Sequence, residues 1–306
     1  MHFERLDSLI DIRKHARGAL IAADATDDSF VPLERVAEAV KLRQADLFDL
    51  GADPPPALLR AMAKLRTRSK LLGMLSVKQK TIYVDPDQTD RQKRFTTAHE
   101  IGHFVLPWQE ESFHLDDRGT LSPTTKATFE REANAFAGEL MFGAGRFNTQ
   151  ADSDAPGIAT PLALAAEYGA SAAATIRQYV EHSGRPLALL TTGLFEQRHR
   201  GGVHIPVFAG QCATSEAFDR RHGPLQGMLP SDRITPEMPL FHLLSQMPAQ
   251  GVGDLTELTL LSSRGATKFK LESFSNGRAR YLLLFRRTRL SGQQRQLVDV
   301  TGRPLR

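Results

Sequence analysis

Thirteen residues, RFTTAHEIGHFVL from 94 to 106, constrain this chain more than any other stretch. His99 and His103 are four apart, Glu100 directly follows the first, and the surrounding residues are mostly apolar. On a helix, residues i and i+4 project from one face about a turn apart. Both imidazoles can then aim a nitrogen at one point, at a spacing that suits a single metal ion. Glu100 flanks that point, where a carboxylate could take a proton from an attacking water. This is the HExxH arrangement of metal-assisted hydrolysis.

The neighbouring sequence supplies a helix to hold the motif. Thr89 or Asp90 can cap it, Pro107 stops it, and Phe95, Ala98, Phe104 and Leu106 are available to bury it. Gly102 would leave room over the metal, at the usual cost of glycine inside a helix. Upstream, residues 5 to 25 and 32 to 46 carry helical periodicity, and Pro54-Pro55-Pro56 precedes another helical pattern. Leu75, Val77, Ile82 and Val84 alternate around a polar KQK turn and predict a short hairpin. Residues 108 to 122 read as an irregular connection.

A second helix follows, with Ser122 as cap and Pro123 at its first position, running through TTKATFEREANAFAGELM. Catalytic zinc usually takes a third protein ligand. This helix offers Glu130, Glu132 and Glu139, and the preceding connection offers His114. Phe129, Ala133, Phe136 and Leu140 mark the buried stripe, with Glu130 and Asn134 along one border and Glu132 on the other. Glu130 could bind metal while Asn134 holds a ligating histidine from behind. Glu132 could instead cap a neighbouring group or face water.

GAGRFNTQADSDAPG (143 to 157) reads as a loop and a boundary. Two short helical patterns follow, one starting at Thr160-Pro161, the other capped by Ser171, with Gly169 between them. From Pro186 the pattern turns to strands: PLALLTTGLF, VHIPVFAG, LTELTLLS, TKFKLESFS and ARYLLLFRR, the last two flanking a Ser275-Asn276-Gly277 turn.

RQKRFTTAHEIGHFVL together with EREANAFAGELM resembles the ImmA/IrrE family of metallopeptidases, and TIYVD resembles the strand that family places before its motif helix. The likeness extends from about residue 30 to 185; it departs at LMFGAG, where the family has a proline-terminated stretch. It implies His99, His103 and Glu130 as metal ligands, Glu100 as catalytic base and Asn134 behind the ligands. LALAAEYGASAAATIRQYVEHSG resembles the helix-turn-helix-like segment that follows. Arg177 is the only arginine across that pair, so packing and DNA contact both stay open. The implied fold is α+β: a zincin-like metallopeptidase domain over 1–150, a helix-turn-helix-like segment over 156–185 and a GAF-like, strand-rich α/β sensor domain over 186–306.

The implied function is site-specific cleavage of a helix-turn-helix repressor, releasing genes of the DNA-damage or radiation response. Zn2+ is the expected metal, although Mn2+, iron or cobalt suit the same donor set. A DNA-binding regulator with a structural metal and a peptidase of broader specificity are the alternatives. His114 and Tyr168 are candidates for stabilising the oxyanion.

Whole-chain features narrow the setting. The chain has 306 residues and a net charge of +4, too small a charge to argue nucleic-acid binding. Residues 276–306 carry eight arginines and one acid, Asp299, a basic edge that suits solvent or an acidic partner such as DNA. No run of apolar residues predicts a membrane span, and the charged N-terminus lacks a signal-peptide core. Cys212 is the single cysteine, which excludes an internal disulfide and suits the cytoplasm. Its VFAG context suits a small buried hydrophobe better than a redox sensor.

Overall fold

The computed structural model describes residues 7–46, 73–109, 122–193, 196–198, 204–206, 211–225, 239–262 and 265–286. The helical pattern after the triple proline, His114 and residues 287–306 of the basic run lie outside them.

Helix α1 (Leu9–Ala22) buries Ile12, Ala16, Ala19 and Leu20, and α2 (Leu33–Ala39) buries Leu33, Val36 and Ala37. Periodicity predicts α2 continuing to residue 46, but it stops at Ala39 and Arg43–Asp46 form strand β1. The stop lies in the backbone. Lys41 is left-handed at φ 65°; its N–H donates to Glu38 O, and Leu42 N–H donates to Ala37 O. This paired closure satisfies the last carbonyls and turns the chain out of the helix.

Strands β2 (Gly73–Ser76) and β3 (Thr81–Val84) form the expected hairpin, with Leu75 opposite Ile82. β1 adds on the other side of β3, parallel, giving the order β1-β3-β2. β3 is buried along its whole length, as its β-branched and aromatic side chains suit.

Helix α3 (Asp90–Val105) carries the motif, and α4 (Pro123–Met141) packs along it. The Thr89 N–H and hydroxyl both donate to Gln92 Oε1, while Ser122 Oγ accepts from Thr125 N–H under Pro123. Both starts match the sequence signals. α4 turns Ala133, Phe136, Ala137 and Leu140 fully inward. Burying Phe136 contributes about 2–3 kcal/mol. Gly102 makes room for this contact: a Cβ there would stand 3.0–3.2 Å from the Phe136 side chain. Phe95 does not join the core; it is 41% exposed, one turn before His99.

The expected loop after α4 contains a short helix, α5 (Arg146–Ala151), because Phe147 packs against Phe142 and Tyr168. Helices α6 (Ala159–Glu167) and α7 (Ala172–His182) follow, joined through Gly169 at φ 59°, with Ser171 Oγ accepting from Ala174 N–H. α7 is half-buried to buried along its length, and Arg177, its side chain 36% exposed, is ion-paired to Glu181.

Strands β4 (Leu187–Gly193), β7 (Gln211–Thr214), β8 (Gln250–Val252), β9 (Thr256–Ser262), β10 (Gly265–Asn276) and β11 (Ala279–Phe285) build an antiparallel sheet ordered β7-β4-β11-β10-β8, with β9 also on β10. β5 (Glu196–Arg198) and β6 (His204–Pro206) pair separately. Asn276 Oδ1 accepts from Arg278 and Ala279 N–H, closing the β10–β11 turn with Gly277 at φ 79°. Leu187, Leu189, Tyr281, Leu283 and Phe285 face the helices and join their core. Ala188, Leu190, Leu282 and Leu284 face a second core with Phe218 of α8 (Glu216–His222) and Leu240 and Leu244 of α9 (Pro239–Gln246). Both faces are therefore covered, which explains the uninterrupted apolar run in β11. Cys212 packs, half-buried, against the second core. Glu272 on β10 ties the sheet to α6 by accepting the Ile158 N–H at 2.7 Å. Among the described residues no helix is long and apolar enough to cross a membrane.

Candidate metal centre

His99 and His103 project from one face of α3, and Glu130 comes from α4 beside them. Their donor atoms converge: His99 Nε2 and His103 Nε2 are 3.1 Å apart, His99 Nε2 and Glu130 Oε2 3.3 Å, and His103 Nε2 and Glu130 Oε1 3.8 Å. Ligands about 2.1 Å from a tetrahedral ion stand about 3.4 Å from one another, so these spacings fit a single divalent cation. All three residues form a cluster capable of holding a metal. The histidines are the sheltered members and Glu130 is 52% exposed, which leaves the cluster open to solvent on its α4 side.

The hydrogen bonds behind the rings decide what the cluster offers. His99 Nδ1 meets Asn134 Oδ1 at 3.0 Å, and His103 Nδ1 meets Gln109 Oε1 at 2.7 Å. An imidazole facing an amide oxygen donates from Nδ1, which leaves lone pairs on both Nε2 atoms. Two lone pairs and a carboxylate then point at one another, an arrangement that a cation relieves. Without a metal a proton can take that place: burial pulls the His99 imidazole down, but the Glu130 hydrogen bond, the charges of Glu100 and Glu130 and the Asn134 hydrogen bond outweigh it and raise His99, favouring its protonated form.

The other acids of α4 have separate work. Glu139, 1% exposed, takes two hydrogen bonds from Arg13 of α1. Glu132 is buried and accepts from Ser8 Oγ, Trp108 Nε1 and Gln109 Nε2. Tyr168 lies wholly inside the core, its hydroxyl on Gln150 Oε1, so it is not placed to meet a reacting group. Glu100 is buried where α3 meets β2: a Cβ on Gly73 would fall 3.2 Å from Glu100 Oε1 and 2.3 Å from Thr96 Cγ2. Gly73 and Gln109 are the residues that motif reading missed. A glycine opening a short strand and a glutamine beyond a helix stop carry no ligand spacing.

Residues 60–178 match the family model of the M78 peptidases, described as the IrrE N-terminal-like domain. Residues 60–178 are thus similar to an IrrE-like peptidase domain, and they hold the His99-His103-Glu130 cluster that can bind a divalent metal. Comparison with curated proteins finds no match. Among solved structures, a Mycobacterium tuberculosis transcriptional regulator is 13% identical and aligns over 90% of this chain and 80% of that chain, with a TM-score of 0.40. A likeness at that level bears on neither fold nor function.

Proposed function

We propose that this protein is a metal-dependent, site-specific endopeptidase that cleaves a helix-turn-helix repressor in the cytoplasm and so releases stress or DNA-damage response genes. The observation that supports it best is the convergence of two Nε2 lone pairs and the Glu130 carboxylate next to Glu100. His99, His103 and Glu130 hold the metal, Zn2+ by preference for this donor set, with Asn134 orienting His99. When bound, the metal polarises the scissile carbonyl. Glu100 takes the proton from the attacking water and returns it to the departing amine.

The regulatory target and the GAF-like sensor reading of 186–306 follow from the family resemblance. The working partition stays 1–150, 156–185 and 186–306. The DNA-reading alternative gains no support from α7, whose one arginine, Arg177, is ion-paired to Glu181.

The test compares newly formed protein N-termini in cells expressing wild type or Glu100→Gln, with and without DNA damage. One dominant cut in a small DNA-binding protein, lost in the variant by about 10²–10⁴-fold in rate, is the expected result. Scattered cuts would indicate a general peptidase. No difference between two folded, metal-loaded proteins would overturn the proteolytic reading.

A further inference from the structure

We propose that Gln109, anchored by Glu132, is a positioning residue for the metal centre: it locks His103 in the Nδ1-protonated tautomer and keeps its Nε2 lone pair on the metal. The inference rests on the metal-site reading above and adds a device that holds one ligand in its binding form.

The argument is one of donors and acceptors. Gln109 is fully buried, and its Nε2 donates to Glu132 Oε2 at 2.8 Å and to Phe129 O at 3.2 Å. Both partners only accept. Flipping the carboxamide would set its oxygen against a carboxylate and a carbonyl, so the orientation is fixed. Oε1 must then face His103 Nδ1, 2.7 Å away, and the proton of that contact must sit on His103. The opposite tautomer would place two bare acceptors against each other and a proton on the metal-binding nitrogen.

Glu132 is itself immobilised. Ser8 Oγ and Trp108 Nε1 donate to it, each at 2.7 Å, so with Gln109 three donors from two separate segments converge on one buried carboxylate. The chain runs from His103 through Gln109 to Glu132 and crosses from α3 to α4, the two helices that supply the ligands. Partners of this kind are worth about 10–100-fold in metal affinity. His99 leans instead on Asn134, which is on the same helix as Glu130.

The test uses the full chain with 15N-labelled histidine. Long-range proton–nitrogen correlation of the metal-free protein reads the His103 tautomer, assigned with His103→Ala, and chelator competition reads the zinc affinity. Wild type should hold His103 with its proton on Nδ1. Gln109→Met should lose that preference and bind zinc about 10–100-fold more weakly. Glu132→Gln should stay close to wild type in both readouts, because its amide oxygen can still accept from Gln109 and Trp108 while its nitrogen donates to Ser8. A folded Gln109→Met with unchanged tautomer and affinity overturns the proposal. If that variant does not fold, Gln109→Leu carries the test with the same two readouts: an unchanged tautomer and affinity there are equally fatal. Failure of wild type to bind zinc would sink the metal-site reading instead, while the tautomer measurement still judges Gln109.

Discussion

Arg13 and Glu139 meet in a two-point ion pair, Nε to Oε2 at 2.9 Å and Nη2 to Oε1 at 2.8 Å, with the carboxylate 1% exposed and the guanidinium 44% exposed. The pair clamps α1 onto α4, and Arg13 Nη2 also lies 3.0 Å from His182 Nδ1 at the end of α7. Arg13→Ala would strand a buried charge beside His182. We expect a loss of about 2–3 kcal/mol, below the full cost of breaking a buried pair because the arginine is partly solvated. Urea unfolding measures it, and Arg13→Lys should recover only part, since lysine cannot make the two-point contact.

Metal removal should be visible in stability as well as activity. A ligand that binds only the folded chain stabilises it by about 2.7 kcal/mol at a hundredfold excess over its dissociation constant. Added zinc should therefore raise the melting temperature of chelator-treated wild type and leave His103→Ala unmoved. Equal shifts in both proteins would place the binding elsewhere.

Gly73→Ala should disturb the neighbourhood of Glu100, because the new methyl would meet Thr96 Cγ2 at 2.3 Å. Overpacking of this kind costs about 1–3 kcal/mol, and displacement of Glu100 should lower turnover further. Thr96→Ser removes the clashing methyl yet keeps the hydroxyl that donates to Gln88 Oε1. Adding it to Gly73→Ala should restore most of both losses; no restoration would contradict the steric account.

Glu257 gives the pH prediction. Hydrogen bonds from Lys268 and Lys270 hold its carboxyl down at about 2, against an ordinary 4.5. Its depressed value means that its contribution is complete above about 4.5 and disappears as pH falls through about 2. Carboxyl-carbon titration should show the low midpoint. The Lys268→Ala/Lys270→Ala double variant, or high salt, should move it upward, because the group is exposed on the surface and screened readily.

The motif helix, its cap, its proline stop and the Glu130 helix were legible because local signals and tertiary contacts agree there. The end of α2 was not: Leu33 to Asp46 keeps a helical rhythm, and the left-handed stop falls on Lys41 where no glycine announces it. β1 escaped notice because RQAD has no apolar alternation and its partner Thr81–Val84 lies far along the chain. Helix α5 forms because Phe147 finds Phe142 and Tyr168, a contact that local composition does not encode. Spacing brought His99 and His103 together, left Glu130 among several candidates until the family resemblance chose it, and left Gln109 invisible, since its role depends on which way a buried amide points.

The sheet that serves two cores has a consequence for how such a protein can change over generations. Neighbouring residues of β4 and β11 answer to different partners: Leu283 to the helices around the candidate metal centre, Leu284 to α8 and α9. A peptidase unit that recombined freely would carry its whole apolar interior with it. Here Leu187, Leu189, Tyr281, Leu283 and Phe285 complete that interior from beyond residue 186. The two halves therefore share one interior, and a graft of either one onto a foreign neighbour must bring a replacement for the missing wall.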